Sequence, residues 1–183
     1  MDLQKAIEGR HSVRKYSIKK PDWKKIIECL DSVRYAPMAG GNYTLKIILV
    51  SDQEKINKLA DAAQQPFIAT AKYVVVFCSS SSRMTNAFGE KGKVYLRQQA
   101  GAAIENFLLK IHEAGMGTCW IGHFTEEEVK AILRIPGDVQ VEAIFPIGYE
   151  VEKPRTRRAK DELGLRFNTY SQTKMNPIKK LDV

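Results

Sequence analysis

The chain has 183 residues, 44% hydrophobic and 27% charged, with a formal net charge of +8 and a pI near 9.4. This is the composition of an ordinary globular protein, long enough for one domain with a large core, and it excludes a fibrous or disordered chain. No apolar run is long enough to span a bilayer, and the opening "MDLQKAIEGR" lacks the apolar centre of a secretory signal, so a cytoplasmic protein with no membrane partner is expected.

A short helix-like start leads into "EGRHSVRKYSIKKP". Arg10, Ser12 and Arg14 alternate there, which is the period of an extended strand, so all three side chains leave the backbone on one side. Two guanidiniums and a hydroxyl form a row of donors suited to an anionic, acceptor-rich ligand. A solvated basic loop is the plainer reading of the same residues.

"PDWKKIIECLDSVRYAP" places Trp23, Ile26, Ile27, Leu30 and Val33 at helical spacing, with Asp22 as the cap and Pro37 just past the end. Leu45–Ser51 reads as a strand buried on both faces, "DQEKINKLADAAQQ" as a helix, and "KYVVVFCS" as a second buried strand. Ser79–Tyr95 is polar and glycine-containing and is expected to be a mobile loop.

The longest helix is expected over Val94–Ala114 and ends at "GMG". Its stripe of Ala100, Ala103, Ile104, Phe107, Leu108 and Ile111 suits close packing against a second helix. "TEEEVKAILRIPG" opens on a capping box of Thr125 and Glu128 and stops at Pro136, and "VQVEAIFPIGYE" is a third strand. Few strands and long helices predict an α+β sandwich, with helices on the faces of a small, mostly antiparallel sheet. No repeat or linker divides the chain, so one domain is expected over 1–183, with 167–183 as a C-terminal arm.

The basic residues fall in Arg10–Lys25, a scatter through the middle and "EKPRTRRAK", without an Arg/Gly repeat or interleaved exposed aromatics. That distribution argues against nucleic acid, and a phosphate on a small molecule is enough to answer the charge. Cys29, Cys78 and Cys119 have no zinc or redox spacing and read as buried thiols. No metal site is expected.

"GMGTCWIG" is not a dinucleotide fingerprint, since Gly122 comes too late and the stretch follows a helix. There is no phosphate loop and no Ser/His/Asp set. His112 rides the long helix and reads as structural, while His11 and His123 stand beside the suspicious stretches. So few candidate acids, bases and metal ligands point to chemistry borrowed from a cofactor.

Four stretches in order, "IEGRHSVRKY", "RYAPMAGGN", "QQAGAAIENFLLKIHEAGMGTCWIG" and "PIGYEVEKPRTRR", resemble the FMN-dependent nitroreductase family over nearly the whole chain. The resemblance implies an intertwined homodimer with an FMN at each of two sites between subunits. Arg10 would meet the phosphate, with His11 beside it, Ser12 the phosphate or ribityl chain, and Arg14 the pyrimidine edge. There its charge would stabilise the reduced flavin. Arg155 and Arg157 match a late basic pair that would close on the phosphate.

The amide of Gly122 or of Ile121 would donate to N5 or O4 of the flavin, with His123 near cofactor or substrate. "APMAGGN" resembles the segment that the partner subunit contributes, placing Pro37, Met38, Ala39 and Asn42 near the ring. Met38 stands where Ser or Thr is common, Gly41 where Asn is common, and "YTL" replaces the usual Gln-Pro, so a more apolar pocket wall is expected. Gln65, or Gln64 in an equally legal register, would read the pyrimidine.

The reaction implied is ping-pong transfer of a hydride from NADH or NADPH, through flavin N5, to a nitroaromatic, quinone or similar small acceptor. No catalytic side chain is required. The same fold also hosts flavin fragmentation, reductive dehalogenation and enone reduction, and a non-catalytic FMN-binding protein is a further alternative.

Overall fold

In the computed structural model, residues 2–151, 166 and 168–170 are described. Four strands form one antiparallel sheet: β1 (Leu45–Val50), β2 (Tyr73–Ser80), β3 (Gly117–Thr118) and β4 (Val139–Gly148), in the order β1-β2-β4-β3. Among the described residues six α-helices accompany it: α1 (Leu3–Gly9), α2 (Trp23–Asp31), α3 (Gln53–Ala62), α4 (Ser82–Phe88), α5 (Lys91–Glu113) and α6 (Glu126–Leu133).

The apolar run of β2 makes it a central strand, buried from Tyr73 to Ser79. β1 is an edge strand, and only Leu45 and Val50 are fully buried, so the expectation of burial on both faces fails there. On one face of the sheet, α2 and α5 cover an aromatic cluster of Phe77, Phe107 and Phe145, with ring centroids 5.4 to 5.9 Å apart. On the other face, α3 and α6 close over Val74, Val76 and Ile144.

Asp22 caps α2 as expected, accepting from the Lys24 amide at 2.9 Å. Trp23 and Ile27 are nevertheless about half exposed, because α2 turns only Ile26 and Cys29 fully inward. The α5 stripe packs on α2 and on the sheet. Over its 23 residues, at about 1.5 Å each, α5 is the longest element and spans the sandwich.

Two expectations about chain breaks fail. Ser79–Tyr95 contains helix α4 and the first turn of α5. The anchor is Met84, fully buried, and Gly92 lets the α4 backbone come close: a Cβ there would lie 2.2 Å from the Met84 carbonyl oxygen. Polar composition hid a single apolar anchor.

Nor does the Thr125 side chain cap α6. Glu126 instead reaches the Val141 amide at 3.1 Å, and the helix stops at Arg134, in the left-handed region at φ 56°, ahead of Pro136.

Candidate functional site

The segment after α1 is the foundation of the site. Gly9 ends the helix against α5, where a Cβ would lie 2.6 Å from His112 Nε2. The chain then runs extended along the end of the sheet. The Val13 amide donates to the Thr118 carbonyl at 2.9 Å, Ser17 N–H to Tyr149 at 2.8 Å and Val151 N–H to Lys15 at 3.3 Å.

Val13 and Tyr16 turn inward and are buried, while Ser12 and Arg14 turn outward and are exposed. The Tyr16 hydroxyl donates to the carbonyls of Val13 (2.7 Å) and Pro146 (3.1 Å), and burial pushes its phenol well above the usual range. The alternation predicted for this stretch therefore holds for Ser12 and Arg14.

Its other member, Arg10, goes elsewhere, and so does the neighbouring His11. Arg10 lies over α5, with its Nε 3.2 Å from Glu105. The His11 ring is committed to the Gly9 carbonyl through Nδ1 (2.9 Å) and to both Glu150 oxygens through Nε2 (2.9 and 3.1 Å). The His11 side chain, expected beside Arg10 at the phosphate, is thus paired with Glu150.

Beside Arg10 a cavity of about 240 Å³ opens between Val13, His112, Thr118 and Glu150. Burial, together with the neighbouring His11 and Arg10, holds His112 below the usual imidazole range. Thr118 Oγ1 is buried without a hydrogen-bond partner among the described residues, a polar atom that a ligand group could satisfy.

In the "CWIGH" stretch the two candidate amides differ in their hydrogen bonding. Ile121 is bonded to Ile144 in both directions at 3.0 Å, so its N–H and C=O belong to the sheet. Gly122 follows at the surface, and no hydrogen-bond partner for its amide stands among the described residues. Trp120, 43% exposed, lies beside it, with its indole nitrogen 3.7 Å from where a Gly122 Cβ would be. His123 is exposed.

Gln64 and Gln65 close the end of α3. Gln64, at φ 52°, takes the left-handed position where glycine is usual, and its amide bonds to Asp61; the Gln65 amide bonds to Ala60. Gln65 is half-buried and Gln64 exposed.

The Pro37–Asn42 loop packs against α5. Pro37 is exposed, while the Met38 side chain leans on the α2–α5 core. Ala39 and Asn42 are tied to Gln99, a buried residue that sequence reading passed over. The available signal was a polar residue at helical spacing between Leu96 and Ala103. Arg155 and Arg157 lie outside the described residues.

A family model for the nitroreductase family matches residues 7–67 and 61–149. The chain belongs to the nitroreductase family. This nitroreductase-family chain is 29% identical over 165 residues to a protein of Methanothermobacter thermautotrophicus provisionally named an NADH dehydrogenase/NAD(P)H nitroreductase. That match covers 86% of the chain and 82% of the relative. It is 22% identical over 177 residues to an iodotyrosine deiodinase of Thermotoga neapolitana, covering 88% and 95%.

Among solved structures, an FMN-dependent nitroreductase from Clostridium difficile superposes with a TM-score of 0.79 at 25% identity, over 91% of this chain and 99% of that one. The small antiparallel sheet with its long flanking helix is the nitroreductase fold. Among the described residues of this nitroreductase-family chain, no group of His, Cys, Asp and Glu could hold a metal ion, and no helix is long and apolar enough to cross a membrane.

Proposed function

We propose that this chain is an NAD(P)H-dependent oxidoreductase that binds FMN and works as a cytoplasmic homodimer. The carrying observation is the Gly122 amide at the surface, without a hydrogen-bond partner among the described residues, with Ser12 and Arg14 held outward on a segment pinned by Val13 and Tyr16. Neutral donors and a guanidinium, with no carboxylate among them, are the donor set that an electron-accepting, acceptor-rich ring requires.

Arg14 holds the pyrimidine edge, where its fixed charge opposes the negative charge that reduction brings. Ser12 donates to the phosphate or ribityl chain, and Gly122 fixes the ring edge through its amide, with no side chain in the way. Arg10, with Thr118 Oγ1 behind it, faces the phosphate, and Arg155 and Arg157 join there. Gln65 reads the pyrimidine, and His123 borders the substrate. When bound, FMN would supply the redox chemistry, a two-electron transfer from NADH or NADPH to a nitroaromatic, quinone or similar acceptor. The protein itself orients, and no side chain serves as an essential acid.

The purified protein, mixed anaerobically with NADH and separately with NADPH, tests this reading. It requires a bound flavin whose visible band bleaches with at least one nucleotide, and it falls if no flavin binds. Bound flavin that neither nucleotide reduces favours a carrier. The deiodinase relative gives a second reading, reductive dehalogenation on the same flavin, supported by assaying the reduced protein with a halogenated phenol.

A further inference from the structure

Of the buried side chains on α5, Gln99 alone is polar, at 4% exposure. A buried carboxamide is costly unless it is paired, and this one is paired at both ends with one short loop. Oε1 accepts from the Ala39 amide at 3.1 Å, and Nε2 donates to the Asn42 carbonyl at 3.2 Å and to the Thr44 hydroxyl at 2.8 Å.

The loop has a demanding shape. Gly40 and Gly41 sit in the left-handed region at φ 58° and 70°, and the Asn42 side chain folds back on the carbonyls of Ala39 and Gly40. From the other side the Phe88 ring presses on Gly40, where a Cβ would lie 3.0 Å from Cζ, and Phe88 stands edge-on to Tyr95 of α5 at 5.4 Å. An apolar residue at 99 would fill the core at lower cost, so the carboxamide serves the loop.

Within one chain this loop does not meet the proposed flavin surface. Arg10 joins α5 at Glu105, about 9 Å further along the helix than Gln99 and about 120° around it. Among the described residues, no hydrogen bond or ion pair joins the loop to Ser12, Arg14 or Gly122. In the homodimer that the sequence resemblance implies, this loop is the segment that one subunit brings to the flavin surface of the other.

We propose that Gln99 is a positioning residue for the flavin site of the opposite subunit, acting through the Ala39–Asn42 loop that it holds. This rests on the homodimeric FMN reading above. Gln99→Leu leaves the Ala39 amide and the Asn42 carbonyl without their partner, and the loop loosens while α5 keeps its apolar contacts.

FMN affinity, read by quenching of flavin fluorescence, is expected to fall roughly tenfold in the Gln99→Leu homodimer. Gln99→Glu keeps the acceptor for Ala39 but sets an oxygen against the Asn42 carbonyl, and should bind with intermediate affinity. Mixed dimers then decide between own site and opposite site. A Gln99→Leu subunit paired with an Arg14→Ala subunit, isolated through two different affinity tags, regains one site of wild-type affinity if Gln99 acts across the dimer. That site combines an intact Arg14 surface with an intact loop from the other chain.

A mixed dimer with no tight site shows that Gln99 acts on its own subunit and overturns the proposal, as does a folded Gln99→Leu dimer that binds FMN like wild type. If Gln99→Leu does not fold, Gln99→Glu takes its place in the mixed dimer with the same outcomes. A wild type that is monomeric or takes up no FMN sinks the functional reading, and the proposal with it, before any variant is made.

Discussion

Tyr16 lies so close over Gly148 that a Cβ on the glycine would sit 2.7 Å from the ring Cδ1 and 3.0 Å from Cγ. The ring cannot swing aside, because its hydroxyl is anchored on the carbonyls of Val13 and Pro146. Gly117 carries Val13 in the same way, at 2.7 Å. Gly148→Ala should therefore destabilise the fold by about 1–3 kcal/mol through overpacking and weaken FMN binding, since the segment bearing Ser12 and Arg14 must lift. Urea unfolding and flavin titration of one preparation measure both effects, and unchanged stability would show that the segment yields freely.

Arg14 is exposed and offers charge rather than packing. Arg14→Ala should lower FMN affinity roughly tenfold or more and make the bound flavin harder to reduce. Arg14→Lys should restore part of the potential but less of the affinity, because ammonium supplies charge without the planar fork. Redox titration against a dye of known potential separates the two effects, and an unchanged potential in Arg14→Ala removes Arg14 from the pyrimidine edge.

Trp120 stands beside the Gly122 amide, 43% exposed. FMN seated there should quench indole emission, and Trp120→Phe should abolish most of that quenching while leaving the signal of Trp23 on α2. Equal quenching in wild type and variant places the flavin elsewhere.

All three cysteines are buried free thiols, and burial raises Cys29 and Cys78 from 9.0 to about 11. Because the fold holds these protons more tightly than the unfolded chain does, their contribution to stability is intact below about pH 9 and is lost as pH rises toward about 11. Tyr16 shifts in the same direction and extends the loss above pH 10. Stability should thus be level across neutral pH and fall in alkali. Native protein should react slowly with a thiol reagent, and protein in urea rapidly at all three positions; a fast native thiol would contradict the burial.

Where a reading needed only neighbours in sequence, it held. Ser12 and Arg14 face out and Val13 between them faces in, because strand alternation is a property of the local backbone. Tyr16, of the same parity as Arg14, departs from it and turns inward, its hydroxyl on the carbonyls of Val13 and Pro146. The α5 stripe and the continuous apolar run of β2 identified the core elements for the same reason. Asp22 capped its helix because the amides it satisfies lie within three residues. Local reading failed at α4, where one buried methionine outweighed a polar loop composition, and at Thr125, which makes no side-chain cap, while the neighbouring Glu126 reaches across to the Val141 amide of β4.

The amino-acid sequence by itself determined the α+β sandwich, the family and an outward-facing basic segment, all carried by period, spacing and motif. Only the tertiary structure decided which donors remain available. It drew Arg10 to Glu105 and His11 to Glu150, bonded the Ile121 amide to Ile144 and left that of Gly122 open among the described residues, and hung the Ala39–Asn42 loop on Gln99. Each of those partners is distant in the chain, and a hydrogen-bonding group is committed or open only once packing has brought the distant residue to it.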